Sequence, residues 1–247
     1  MALGDRPAFR DGNRVELSVG TWRVIVQRTV PGTVDLARMY DGASWLWHPV
    51  MNLLGHPRAY TNLFNRLAAD GWLECLPQAA KVLDGGIGTA AFSVALAKAI
   101  PCGALEIHGI DISPRMLARA RDNLRRLGHA GITAQLRYGN ADCLPYPAGD
   151  FDMVMSAHML EHSSDPSATL GEMARVLRAG APLLIVTTRA DRVSAWHGLR
   201  WRYRSIESQQ LQHWLHLAGL CDVRRYALGG SLRVPGPASE AYIGRKM

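Results

Sequence analysis

The chain has 247 residues, of which 48% are hydrophobic and 20% charged, and its formal net charge is +7. This composition is typical of a globular protein with one α/β domain of ordinary size, and it excludes a disordered chain. No apolar run approaches the ~18 residues of a membrane span, and the N-terminus lacks the apolar core of a signal peptide. We therefore expect a cytoplasmic protein.

The cysteines and the basic charge indicate no particular partner. The four cysteines are scattered without a C-x-x-C pair, which argues against a zinc site and against a disulfide framework. Only three of the 28 basic residues are lysines, and a skew of this kind often reflects the base composition of a genome more than a partner. We therefore do not expect nucleic acid as a partner.

The apolar pattern divides the chain into an N-terminal part and a core. Residues 14–29 alternate around a glycine as in a β-hairpin, and residues 33–70 are helical in pieces and rich in aromatic residues. From Lys81 onward strands alternate with helices, which predicts a parallel sheet with crossover helices. The predicted core strands are 81–84, 105–110, 132–138, 151–156, 181–188, 222–227 and 240–245, and the predicted helices are 89–99, 114–127, 166–177 and 205–218.

A glycine-rich segment joins a predicted strand directly to a predicted helix. Within Asp84-Gly85-Gly86-Ile87-Gly88, two glycines, Gly86 and Gly88, allow a sharp turn and let a ligand lie against the backbone. The spacing Gly86-x-Gly88-x-x-Ala91 also fits the fingerprint of NAD(P)-binding proteins. The loop alone leaves both cofactor classes open, as well as a tight turn that holds no ligand.

Asp84 distinguishes between these cofactors by the sign of its charge. A carboxylate at the mouth of the loop repels a pyrophosphate that needs the helix N-terminus. It attracts the ammonium group of S-adenosylmethionine (SAM), which carries no phosphate. We therefore predict SAM.

Two later segments supply further polar groups. Asp111 ends the second core strand, 23 residues after Gly88, where a carboxylate can accept both ribose hydroxyls of either cofactor. Ser113, which precedes a proline, is the better N-cap of the following helix, so we expect loss of Asp111 to weaken SAM binding with little effect on fold stability. Segment 139–147 offers short polar side chains for the adenine edge, and Leu144 for packing on its ring.

Taken together, these motifs resemble the class I SAM-dependent methyltransferases, closest to the branch with quinone C-methyltransferases and small-molecule methyltransferases. The resemblance implies an α/β fold with a Rossmann-like, seven-stranded, mostly parallel sheet. It also implies an antiparallel C-terminal strand, helices on both faces and an N-terminal lid. The chain would divide into a hairpin and helical lid (1–75) and a SAM-binding methyltransferase domain (76–247). The motifs are Asp84-x-Gly86-x-Gly88, Asp111, Asn140-Ala141-Asp142-x-Leu144-Pro145, Phe151-Asp152 and the run 172–180, within about residues 80–245.

The resemblance also assigns roles to individual residues. Ala90 stands where the family often has a third glycine, and Asn140 where an aspartate is commoner; neither departure removes the expectation of SAM binding. By resemblance, the amino-acid end of SAM is held by Asp84, Gly85, Gly86 and Gly88, the ribose by Asp111 and Ile112, and the adenine by Asn140, Ala141 and Asp142, with Ala157 and His158 near the sulfonium.

The run from His158 to His162 matches H-x-x-E-H, the signature of one group of zinc peptidases. That site needs both histidines on one helix face and a distant carboxylate ligand, whereas His158 follows a predicted strand and therefore lies in a loop. We expect no metal site here. His158 is predicted to orient the acceptor or to act as a general base, because histidine titrates near neutral pH. A role in shaping the pocket stays open, and His162 is expected to be structural, at the start of the next helix.

Two aromatic segments flank the predicted core, and we expect residues 36–48 and 192–204 to form one lid over the acceptor. Tyr40, in the first segment, resembles the family's lid tyrosine near SAM and is predicted, with His158, to be catalytic. The second segment interleaves arginines with aromatic residues such as Trp201, which suits an anionic or lipid-like acceptor or peripheral contact with a membrane. A stack that only fastens the lid is the alternative.

The sequence therefore predicts an enzyme that transfers a methyl group from SAM to an O, N or C nucleophile of a small-molecule or lipid-like acceptor. A SAM-binding protein without catalysis stays open, because binding and turnover use different residues. An NAD(P)-dependent oxidoreductase is disfavoured by Asp84 and by the C-terminal strand pair. An RNA methyltransferase is disfavoured because no RNA-binding module or Asn-Pro-Pro-Tyr-like motif is evident. The sequence determines neither the acceptor nor the oligomeric state.

Overall fold

A seven-stranded mixed sheet forms the centre of the described part of the chain. The structure is a computed structural model that describes residues 14–19, 22–27, 56–100, 104–128, 131–189, 206–228 and 239–247, with side chains from Pro57 onward. The strands in chain order are β1 (Arg14–Val19), β2 (Trp22–Gln27), β3 (Ala79–Gly85), β4 (Ala104–Asp111), β5 (Ile132–Tyr138), β6 (Met153–Ala157), β7 (Pro182–Thr188), β8 (Leu220–Leu228) and β9 (Ser239–Lys246).

The strand order of the large sheet is β5-β4-β3-β6-β7-β9-β8. The pairs from β5 to β7 are parallel, and β9 is antiparallel to both β7 and β8. The parallel strands therefore run outward from β3 to β5 in one direction and from β6 to β7 in the other, and β9 is inserted between β7 and β8. Ligands of open α/β sheets bind at this kind of switch point, outside the carboxyl ends of the strands. The strands β1 and β2 form a separate antiparallel hairpin.

Helices cover both faces of the sheet, because the buried strands are apolar on both sides. Leu183 and Ile185 of β7 belong to one core cluster, and the alternate residues Leu184 and Val186 belong to the other. The helices are α1 (His56–Ala69), α2 (Ala91–Ala99), α3 (Pro114–Arg126), α4 (Pro166–Val176) and α5 (Ser208–Leu217), with a 3-10 turn at Leu160–His162. Helices α1, α2 and α3 pack in the core cluster that contains Leu184, and α4 and α5 pack in the core cluster that contains Leu183.

Local capping fixes where two of these helices begin. The Ser113 hydroxyl accepts the Met116 amide at 3.1 Å, and Pro114 occupies the first turn of α3. The Asp165 carboxylate accepts the Ala168 amide at the start of α4 in the same way. These contacts satisfy amides that have no partner within the helix. The prediction that Ser113 is an N-cap is confirmed.

The predicted fold class is confirmed, including the antiparallel C-terminal strand. The strand predicted at 132–138 has those bounds in the structure, and the other core elements differ by at most three residues at an end. Predicted lid residues 36–48 and 192–204 lie outside the described residues. The division at residue 75 stays a prediction; Phe64 of α1 and Trp72 pack in the same core cluster as the sheet. No helix in the described ranges is long and apolar enough to span a membrane.

Candidate functional site

The glycine loop connects β3 to α2 at the carboxyl edge of the sheet. Gly86 and Gly88 have φ of 74° and 53°, values that favour glycine. A Cβ on Gly86 would lie 2.5 Å from Cγ of Met159, so only a glycine fits beneath that side chain. The family often has a third glycine at the position of Ala90, and Ala90 adopts a positive φ of 64° although it is not a glycine. Met159 thus packs against Gly86, whereas at Gly88 the nearest atom to an added Cβ is the Gly86 carbonyl oxygen at 4.0 Å, which leaves room for a ligand.

The Asp84 carboxylate lies beneath this loop, where it is 1% exposed. Its Oδ2 accepts the Ser93 hydroxyl of α2 at 2.6 Å. Burial raises the pKa of Asp84 to about 7; the Ser93 hydrogen bond opposes this shift, and the negative charge of Asp111 adds to it. A cation placed at this carboxylate would favour its charged form. Its predicted contact with the SAM ammonium stays a prediction.

Asp111 joins the end of β4 to the glycine loop. Its Oδ2 accepts the Gly88 amide at 2.8 Å, and its Oδ1 accepts the Ser113 amide at 2.9 Å. Gly86 and Ile87 donate their amides to the Ile110 carbonyl, at 2.8 and 3.0 Å. The carboxylate is thus fixed in position by two backbone donors, beside the neighbouring predicted residue Ile112.

The loop after β5 is held by its own polar residues. Asp142 Oδ1 accepts the hydroxyls of Thr169 and Ser163 at 2.5 and 3.1 Å, and Oδ2 accepts the Asn140 amide at 3.0 Å. Asn140 Oδ1 in turn accepts the Asp142 backbone amide at 3.1 Å. Ala141 is buried between them. These side chains shape the loop, and their predicted contacts with adenine stay predictions.

Two residues of α4 that sequence reasoning gave no role fasten the same loop. Glu172 accepts the Leu144 amide at 2.9 Å and binds Arg175, which donates to the carbonyls of Tyr146 and Leu144 at 2.9 and 3.2 Å. The Arg175 hydrogen bonds hold the pKa of Glu172 below its ordinary value. The spacing of three residues on one helix indicates the Glu172–Arg175 pair, but it does not reveal the loop that the pair holds.

His158 follows Ala157 at the carboxyl end of β6. Its backbone has φ 56°, a left-handed conformation that is uncommon outside glycine and is often found at functional sites. Its amide donates to the Val186 carbonyl at 2.8 Å, which anchors this conformation to β7. The ring contacts Glu161 and Thr188 through Nδ1 and Ser239 through Nε2. The prediction that His158 lies in a loop is confirmed.

Glu161 and Tyr60 adjoin His158, and sequence reasoning did not include either in the site. Glu161 is 2% exposed and accepts the Thr188 amide at 2.7 Å. The Tyr60 ring lies 6.5 Å from the His158 ring and 4.9 Å from Phe92, measured between centroids. Burial raises the pKa of Tyr60, and the charges of Glu161 and Asp84 raise it further. Tyr60 reaches the site by tertiary packing that local patterns do not encode, whereas Glu161 lies three residues after His158 within the H-x-x-E-H run.

The H-x-x-E-H run is not helical in the way that a zinc peptidase requires. His158 lies before the 3-10 turn, and His162 ends that turn, four residues ahead of α4. His162 was expected to start the next helix, but that helix, α4, begins about one turn later, at Pro166. Within the ranges that carry side chains, no group of three or more His, Cys, Asp or Glu residues is placed to hold a metal ion.

The predicted cofactor residues in the described ranges all lie at the carboxyl edge of the sheet, and several are joined directly. Gly88 bonds Asp111, and the Ser156 hydroxyl of β6 donates to the Gly85 carbonyl at 2.7 Å. Tyr40, the other predicted catalytic residue, lies outside the described residues.

Comparison with known proteins finds a similarity over the part of the chain that carries this edge. The family model described as "Methyltransferase domain" matches residues 82–180. The match begins in β3 and ends after α4, so the stretch that is similar to this domain contains the glycine loop, Asp111, the loop after β5 and His158.

Two curated relatives match at least half of the chain. The chain is 33% identical over 124 residues to a demethylmenaquinone methyltransferase of Anoxybacillus flavithermus, covering 50% of this chain and 51% of the relative. It is 31% identical over 152 residues to a 2-methyl-6-phytyl-1,4-hydroquinone methyltransferase of Synechocystis sp., covering 62% and 45%. The matches span about half the length of these relatives.

A solved structure shares the fold of this chain. The magnesium protoporphyrin IX methyltransferase of Synechocystis PCC 6803, crystallised with S-adenosylhomocysteine, superposes with a TM-score of 0.70 at 16% identity. The match covers 87% of this chain and all of that chain. At this identity the likeness concerns the fold.

Proposed function

We propose that this protein is a SAM-dependent methyltransferase that transfers a methyl group to a small-molecule or lipid-like acceptor, with quinol-type molecules as the first class to test. The observation that carries the proposal is the meeting of the glycine loop, Asp111 and His158 at one edge of a methyltransferase-domain sheet. Cofactor and acceptor sites of open α/β sheets are found at this edge.

The residues at this edge fit SAM. Asp111 is held by a backbone donor on each oxygen, and a carboxylate at the end of this strand suits the ribose hydroxyls. The Gly88 backbone has no side chain packed against it, and the buried Asp84 carboxylate suits an ammonium group. SAM, when bound, supplies a methyl group on an electrophilic sulfonium. Alignment of a nucleophile with that group accounts for much of the acceleration in such transfers.

The relatives support an acceptor of the quinone type. The names of both curated relatives specify quinone-type acceptors, and the phytyl chain in one of them is lipid-like. The aromatic and arginine-rich residues 192–204 would suit such a molecule, and peripheral membrane contact belongs to the same proposal. A cytoplasmic location is supported by the free thiols of Cys75, Cys143 and Cys221, which suit a reducing compartment.

Two measurements test the proposal. Calorimetry with SAM, S-adenosylhomocysteine, NADH and NADPH should show binding of the first two ligands only. Transfer of a labelled methyl group from SAM is then assayed with 1,4-naphthohydroquinone and with magnesium protoporphyrin IX, and we expect turnover of the hydroquinone. Binding of a nicotinamide cofactor without SAM would overturn the assignment. SAM binding without transfer to either acceptor would favour a non-catalytic SAM-binding protein.

A further inference from the structure

The side chains of His158, just before the 3-10 turn, and of Glu161, within it, lie next to each other. Nδ1 of His158 lies 3.4 Å from Oε1 of Glu161 and 3.2 Å from the Thr188 hydroxyl. The first distance exceeds that of an ordinary N–H···O hydrogen bond, and catalytic hydrogen bonds are often long before the complex forms. Because the Thr188 amide also donates to Glu161 Oε1, at 2.7 Å, β7 holds the carboxylate in place beside the ring.

The pair has a buried side and a side that reaches solvent. Glu161 has 2% of its side chain exposed and His158 has 20%. The second oxygen of Glu161, Oε2, is buried without a hydrogen-bond partner in the described part of the chain. Burial alone would raise the pKa of Glu161, but hydrogen bonding and charge from His158, with the Thr188 amide, hold this pKa below its ordinary value. The contacts with His158 and Thr188 thus favour the ionised form of Glu161.

This arrangement favours the tautomer of His158 that carries its proton on Nδ1. An ionised carboxylate only accepts hydrogen bonds, so the proton of the neutral ring belongs on Nδ1, toward Glu161 and the Thr188 hydroxyl. Nε2 is then the accepting nitrogen, and it points toward the Ser239 hydroxyl at 3.5 Å, at the start of β9. The backbone of His158, with φ 56° and its amide bonded to Val186, adds a second restraint on the ring.

We propose that Glu161 is a positioning residue that holds His158 with Nε2 ready to take a proton from an acceptor that bears an ionisable hydroxyl, such as a phenol or a quinol. This inference rests on the proposed methyltransferase function. The hydroxyl proton passes to Nε2, and the electrons of the O–H bond stay on the acceptor as an anion. The new bond joins the methyl carbon to the nucleophilic atom of that anion. The electrons of the broken S–C bond stay on sulfur, and His158 later releases its proton to solvent.

The first test does not depend on turnover. Nitrogen NMR of ¹⁵N-histidine-labelled protein reports the tautomer of each histidine, and His158→Gln identifies the His158 signals. We expect wild-type His158 to carry its proton on Nδ1 and Glu161→Leu to shift it toward Nε2, because the carboxylate that accepts from Nδ1 is removed and the Thr188 hydroxyl, 3.2 Å from Nδ1, can then donate to it. The matched control is Glu106→Leu, beside His108 at 2.7 Å, which should leave His158 unchanged. The same His158 tautomer in wild type and Glu161→Leu would overturn the proposal.

The second test is a double-mutant cycle on methyl transfer from SAM to 1,4-naphthohydroquinone. A general base contributes about 100- to 10,000-fold, so we expect at least ~10-fold loss of kcat in each of Glu161→Leu and His158→Gln. The double variant should lose no more than His158→Gln alone, because Glu161 acts through the ring. Multiplied losses would overturn the positioning role. If the wild type turns over no acceptor, the proposed function fails, and the tautomer measurement still decides whether Glu161 positions His158.

Discussion

Gly88 and Asp111 are joined by a hydrogen bond of 2.8 Å from the Gly88 amide to Oδ2 of Asp111. This contact connects the glycine loop to the residue predicted to hold the ribose, although 23 residues separate them along the chain. The carboxylate therefore has a structural role as well as its proposed role in binding SAM. The two roles change what we expect from its removal.

Replacing Asp111 with alanine should affect both roles. Asp111→Ala leaves the amides of Gly88 and Ser113 without their acceptor, so we expect the unfolding free energy to fall by about 1–3 kcal/mol. The affinity for SAM should fall by a similar ~1–3 kcal/mol, the scale of lost hydrogen bonds to a charged group. Urea denaturation and calorimetry measure the two effects.

Asp111→Asn is the matched control, because it keeps one carbonyl oxygen as an acceptor and removes the charge. We expect it to retain more stability than Asp111→Ala while still weakening SAM binding. An unchanged dissociation constant in both variants would mean that the ribose is held elsewhere.

Tyr226 fastens the segment after α1 to the edge strand β8. Its hydroxyl donates to Asp70 at 2.6 Å and accepts the Trp72 indole N–H at 3.2 Å. Tyr226→Phe leaves that buried N–H without its acceptor, so we expect a loss of about 1–3 kcal/mol in unfolding free energy, measured by urea denaturation. The affinity for SAM should not change. Tyr138→Phe, on an edge-strand tyrosine that is 69% exposed, is the control and should be neutral; equal losses in both variants would contradict the prediction.

The core of the fold follows from local patterns, and much of the site does not. Strand 132–138 and the start of α3 are predictable because alternation and the Ser113 cap act within a few residues. The hydrogen bond between Thr188 and Glu161 joins residues that are 27 positions apart in the sequence, and the one between Tyr226 and Asp70 joins residues that are 156 positions apart. Such contacts depend on the sheet order, which no short pattern contains. The glycine loop was predictable because positive φ requires glycine at Gly86 and Gly88, whereas the second role of Asp111 was not.

The aromatic lid stays a prediction about residues 36–48 and 192–204. Few large side chains at the sheet edge could grip an acceptor, and transfer benefits from excluding water and aligning the nucleophile. We therefore expect Tyr40→Ala and Trp201→Ala to reduce methyl transfer to 1,4-naphthohydroquinone far more than they reduce the melting temperature. Wild-type rates in both variants would show that the pocket is built from other residues.

Asp84 should make the stability of the protein depend on pH. Its pKa is raised in the fold from 3.8 to about 7, so the folded state binds a proton that the unfolded state has lost. The contribution of the protonated carboxyl is fully present below about pH 3.8 and is lost as pH rises through about 7. In Asp84→Asn this component of the pH dependence should be absent. Urea denaturation of both proteins between these pH values measures the difference, and parallel curves would contradict the assignment.

The same carboxyl should couple SAM binding to proton release. If the ammonium group of SAM lies at Asp84, its positive charge favours the ionised carboxylate and lowers the pKa of Asp84 from about 7. SAM affinity should then rise with pH up to about 7, and binding at or slightly below that pH should release a proton from Asp84. Calorimetry in two buffers of different ionisation enthalpy measures this release as a difference in apparent binding enthalpy. Asp84→Asn cannot release the proton, so its enthalpies should agree between buffers. An equal release in wild type and Asp84→Asn would assign the proton to another group, and the ammonium of SAM would then be held away from Asp84.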